Sequence, residues 1–79
     1  MYLIEVDRSM NRLHVILLQT IDEKQAASFF RTLGRRIKEL EEGFEVLSDL
    51  SRLEHIERSA TFYIRRAMDL CNERGVGKI

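Results

Sequence analysis

Residues 13–50 read LHVILLQTIDEKQAASFFRTLGRRIKELEEGFEVLSDL, and the changes of apolar period within this stretch decide the fold. Leu13–Leu18 is almost continuously apolar, the pattern of a strand covered on both faces. From Ala26 the apolar residues recur at Phe29, Phe30, Leu33, Ile37 and Leu40, a spacing that only a helix gathers onto one side. Phe44–Leu50 then returns to a short strand pattern. A strand, a long helix and a second strand form a crossover unit, which sets the two strands side by side, parallel and right-handed.

The ends of the helix carry their own signals. Thr20 stands three positions before Glu23, the spacing of a capping box, and Asp22 offers an alternative cap. Gly43 is the expected stop, because it adopts a left-handed conformation without a Cβ penalty. Gly34 costs about 1 kcal/mol inside a helix, and close packing of the helix on the sheet is the expected compensation. Upstream, Tyr2–Val6 alternates weakly and predicts an outer strand, joined to Leu13–Leu18 by a hairpin in which Asp7, Ser9 and Asn11 supply turn chemistry. Downstream, Ala60, Tyr63, Ile64, Ala67, Met68 and Cys71 mark a second helix, Gly75 ends it, and GVGKI begins a fourth strand. The expected fold is α/β, a small mixed sheet in the order β-β-α-β-α-(β) with both helices on one face, and residues 1–79 form a single domain.

Composition narrows the function. The 13 basic and 13 acidic residues cancel, so no net field draws the protein to nucleic acid or to anionic lipid. The longest uncharged apolar run, Val15–Leu18, is far short of the roughly 20 residues a spanning helix needs, and MYLIEVDRS has acids where a signal peptide has bases. A cytoplasmic protein is expected. Cys71 is the single cysteine and there are 2 histidines, which leaves no disulfide within the chain, no zinc spacing and no cofactor motif. Cys71 falls in the helical stripe and reads as a buried small hydrophobe.

The polar residues gather in SDLSRLEHIERSATFYIRR, Ser48–Arg66. The carboxyl end of a strand meets the start of a helix here, a usual place for sites in α/β sheets. A hydrolytic triad of Ser59, His55 and Asp49 can be spelled from it, but no G-x-S-x-G elbow is present, and the protein is expected not to be an enzyme. Ser51, with Glu54 three residues later, and Ser59, just before Ala60, read as helix caps. A serine at a helix start is also where a phosphate is stabilised, with Arg58 and Arg52 nearby. Phe30 and Phe62 lie toward stripe margins, where either could anchor a protein contact.

These segments resemble the STAS domain family, the fold of bacterial anti-sigma-factor antagonists and of the cytoplasmic tail of sulfate transporters. LHVILLQTIDEKQAASFFRTL is similar to the family's second strand, a loop with an Ile/Leu-Asp pair, here Ile21 and Asp22, and the first long helix. Asp49, Leu50 and Ser51 match the Asp-Leu-Ser that ends the third strand, and Glu57, Arg58, Ser59 and Ala60 occupy the family's Asp-Ser-Ser/Thr-Gly corner. The resemblance implies that Ser59 is the phosphoacceptor and that Asp22, Asp49, Ser51, Glu57, Arg58, Ser59 and Phe62 form the partner surface. It implies a regulatory or partner-switching role through a protein partner, and a chain that lacks the C-terminal part of the full family fold. An uncovered strand edge adds the expectation of a homodimer. The alternatives from the residues themselves are a small-molecule or anion site at the second helix start, and a structural subunit completed by dimerisation.

Overall fold

In the computed structural model, which describes residues 1–77, the hairpin and the crossover unit form as their patterns predict. Strand β1 is Tyr2–Asp7, β2 is Arg12–Ile21, helix α1 is Glu23–Arg36, β3 is Glu45–Ile56 and α2 is Thr61–Glu73. The sheet order is β1-β2-β3, with β1 antiparallel and β3 parallel to β2.

Alternation along the central strand builds the core. Leu13, Val15 and Leu17 of β2 are buried together with Phe29 and Leu33 of α1 and Ala67 and Cys71 of α2. Burial holds the Cys71 thiol above its ordinary pKa, as befits a packed cysteine. The intervening Arg12, His14, Ile16 and Leu18 are only half-buried, so β2 is not covered on both faces. Both helices lie over the same face, and the other carries an ion pair, Arg12 Nε to Glu45 Oε1 at 2.9 Å, in place of a second apolar layer.

Asp22 caps α1, its Oδ1 accepting the Gln25 N–H at 2.7 Å. Thr20 remains within β2, so no capping box forms. The helix also ends earlier than Gly43: it tightens into a single 3-10 turn at Ile37–Glu39. That turn keeps Ile37 in the core, 2% exposed. Gly43 uses its left-handed φ of 89° instead to turn the chain into β3.

Gly34 faces α2 rather than the sheet. A methyl group at its α-carbon would lie 3.7 Å from Leu70 Cδ2, an ordinary van der Waals distance. Gly34→Ala is therefore expected to raise stability by about 0.5–1 kcal/mol through helix propensity. An unchanged or lowered urea midpoint would show that the interhelical contact needs the glycine.

After α2 the chain turns at Gly75, φ 84°, and runs beside the entry to β3. Gly43 N–H donates to Gly75 O at 2.7 Å, and Gly77 N–H to Phe44 O at 2.8 Å. A Cβ on Gly77 would fall 2.6 Å from Gly43 O, so only glycine allows this approach. Gly75–Gly77 forms no regular strand, and the rest of the expected fourth strand, residues 78–79, lies outside the described residues.

Candidate functional site

The polar stretch expected to connect strand and helix is itself strand. β3 continues to Ile56, because β2 pairs with it as far as Ile21. Two register shifts against β2, between Ile16 and Leu18 and between Gln19 and Thr20, let β3 accommodate extra residues. The second coincides with Gln19 at φ 56°. The first lies opposite Asp49–Ser51, where Asp49 Oδ1 accepts both the Ser51 N–H at 3.0 Å and the Ser51 Oγ–H at 2.6 Å.

Ser51 therefore caps no helix; its hydroxyl serves the bulge. These hydrogen bonds, led by the side-chain one, hold the Asp49 carboxyl below the usual aspartate range. Ser51→Ala is expected to move the Asp49 titration part of the way back up, since the amide bond remains. Carboxyl chemical shifts followed against pH measure it, and an unmoved titration would show that the hydroxyl contributes nothing.

The strand passes to α2 through a tight corner. Glu57 N–H donates to Ile21 O at 3.0 Å, and Ala60 N–H donates to Glu57 O at 2.9 Å. Arg58–Ala60 is a 3-10 turn, and the Thr61 hydroxyl donates to Arg58 O. Backbone carbonyls thus satisfy amides at this end. Ser59 caps neither the turn nor α2, and its side chain is exposed. Ala60, directly after it, is 0% exposed, so the corner is seated on the core by its smallest side chain.

The residues expected at the partner surface fall into two groups. Asp22 adjoins Ile21, whose carbonyl holds Glu57, so Asp22, Glu57, Arg58 and Ser59 surround the corner, with Phe62 one helical turn on. Asp49 and Ser51 lie apart: Asp49 pairs with Ile16 while Ile56 pairs with Ile21, about 16 Å farther along the sheet at 3.3 Å per residue. Among the described residues Asp49, His55 and Ser59 share no hydrogen bond, the Asp49 carboxylate being engaged by Ser51. No three His, Cys, Asp or Glu side chains gather there as a metal site, and no helix there is long and apolar enough to cross a membrane.

Two concavities flank α2. An open groove of about 510 Å³ includes Arg58, Ser59, Phe62, Arg65, Arg66 and Asp69 in its lining. An apolar cleft of about 280 Å³ lies between the helices and the sheet, lined by Val15 of β2, Phe29 of α1, Val46 and Leu50 of β3 and Ile64 and Met68 of α2 among others. The groove was open to sequence reading through the helical spacing of Phe62, Arg65, Arg66 and Asp69; the cleft was not, because it depends on where α2 stands over β3.

This arrangement matches solved structures. The anti-sigma factor antagonist SpoIIAA in its unphosphorylated form superposes with a TM-score of 0.71 at 11% identity, over 92% of this chain and 64% of that one. The fold is STAS-like. Two structures of Mglu share it, with TM-scores of 0.74 and 0.68 at 19% and 18% identity, over 94% and 92% of this chain but only 18% and 21% of theirs. The chain spans less than two thirds of the length of each of these proteins. No protein-family model matches the sequence, and no curated protein does. The STAS-like core places the Glu57–Ala60 corner at the entry to α2, beside the groove.

Proposed function

We propose that this STAS-like protein is a non-enzymatic regulatory module of the cytoplasm that binds a protein partner through the β3–α2 corner. The observation that carries the reading is the corner itself: Glu57, Arg58 and Ser59 are exposed on a turn anchored by the buried Ala60. The fold it shares with an anti-sigma factor antagonist supports a partner-switching role. In this reading Ser59 is the phosphoacceptor, its hydroxyl free of any capping bond, and Asp49 and Ser51 form an outlying part of the surface. A phosphate there adds close to two negative charges beside Arg58.

The test compares wild type with Ser59→Glu as bait in extract of the native cells, alongside intact-mass analysis of the native protein. A partner lost on Ser59→Glu, with a phosphate mass on the Ser59 peptide in some growth condition, is the expected result. A partner captured equally by both baits removes the switch.

The open edge of β3 favours a second reading, a sheet completed by another copy. Leu50 and Met68, both lining the cleft, are 50% and 56% exposed, and among the described residues β3 pairs with β2 alone, the situation in which strands recruit partners. Light scattering across a concentration series tests it. A well-folded monomer at the highest concentration would exclude a homodimer.

A further inference from the structure

We infer that the groove along α2 is a docking site for an acidic polypeptide segment that places one apolar side chain against Phe62. This inference rests on the protein-interaction reading and names the chemistry of its partner. Phe62, Arg65, Arg66 and Asp69 are spaced i, i+3, i+4 and i+7, so they share one exposed face of α2, while Ala67 and Cys71 of the same helix are buried. Arg58 extends that face across the corner, and all five side chains line the same groove.

Charge selects the partner. The three arginines lining the groove face a single aspartate, Asp69, although the whole chain has a formal net charge of zero. The ion pairs among the described residues are Arg8–Glu39, Arg12–Glu45 and Arg36–Glu39. Arg58, Arg65 and Arg66 thus have no carboxylate within ion-pair distance there, and their guanidinium forks are available for carboxylates of another chain.

Phe62 gives the site its apolar centre. It is 62% exposed and stands edge-on to Tyr63, with ring centroids 5.3 Å apart and planes at 85°. Packing on a half-buried neighbour limits the freedom the ring has to lose on binding. An exposed aromatic ring flanked by arginines is the composition of an interface hot spot. A single exposed ring is a poor platform for consecutive stacked bases.

The experiment titrates a short synthetic peptide of glutamates flanking one leucine into the isotope-labelled full chain, with a lysine-for-glutamate peptide as control. The expected result is salt-sensitive binding of the glutamate peptide alone, with amide shifts confined to Arg58–Asp69. Phe62→Ala should weaken it at least about tenfold, equivalent to roughly 1.4 kcal/mol. The double variant Arg65→Glu with Arg66→Glu should lose the glutamate peptide and bind the lysine peptide. All three positions are exposed, and unchanged thermal melts will confirm that the variants remain folded.

Equal binding of both peptides, binding of neither, or stronger binding of a mixed-sequence RNA oligonucleotide or phosphatidylserine vesicles overturns the inference. A partner captured from native extract and retained by the double variant also overturns it, yet leaves the interaction reading standing. Absence of any partner on the wild-type bait counts against both.

Discussion

Phe44→Ala is expected to leave the protein largely unfolded at physiological temperature. Phe44 is the largest of the fully buried side chains, 1% exposed. It stands where the chain enters β3, and its carbonyl accepts the Gly77 N–H at 2.8 Å. Truncating a buried phenylalanine costs about 3–5 kcal/mol, from lost transfer energy and the cavity left behind. A domain of this size holds only about 4–12 kcal/mol in total, at about 0.05–0.15 kcal/mol per residue, and small chains sit toward the lower end. Circular dichroism during urea titration should show the transition shifted to very low denaturant or lost. A midpoint within error of wild type would mean that Phe44 does not organise the core.

Ala60→Leu should act on stability and on the corner together. Ala60 is 0% exposed and lies between the exposed Ser59 and Thr61, so the added side chain has no outward route. Overpacking of this kind costs about 1–3 kcal/mol. The strain is relieved most easily by lifting the 3-10 turn, whose own hydrogen bonds are few. Amide shifts are expected to change across Glu57–Phe62 while the β1–β2 hairpin keeps its spectrum. Shifts spread evenly over the whole sheet would place the response in the core instead of the corner.

Acid should weaken the protein gradually. Arg8, through its hydrogen bond to Glu39, holds that carboxyl below its ordinary value, aided by the charge of Arg36. Ser9 and the Met10 amide do the same for Asp7. Because both folded-state values are depressed, their contribution is present above the ordinary carboxylate pKa of about 4 and is lost as pH falls through the folded value. Asp7 is exposed and Glu39 half-buried, and solvent screening keeps the effect small. Chemical denaturation at a series of pH values should show a plateau near neutrality and a shallow decline below about pH 4.

How much was legible beforehand varied with the kind of pattern. β2 and α1 were readable because their apolar residues follow a period set by the core they share. β3 was readable only to Leu50. Beyond it Ser51, Arg52, Glu54 and His55 are exposed and carry no apolar alternation, and the strand persists because β2 lies beside it. The helix caps show the same division. Asp22 bonds an amide three residues away, a local event, whereas the capping expected of Ser59 was displaced by a turn whose geometry follows from the Ile21–Glu57 contact.

The sequence by itself therefore determined the strand, helix, strand crossover, the buried stripe of α1 and the α/β class, because hydrophobic periodicity is a property of neighbours along the chain. That β2 buries one face and that Met68 stays 56% exposed on α2 were set by tertiary packing. Tertiary structure alone decided that Asp49 and Ser51 serve a bulge remote from the corner and that Ser59 keeps a free hydroxyl. It also set the apolar cleft beside β3. Those outcomes depend on register, on turn geometry and on where α2 stands over the sheet. Each is fixed by contacts between residues far apart in the chain, which no local pattern records.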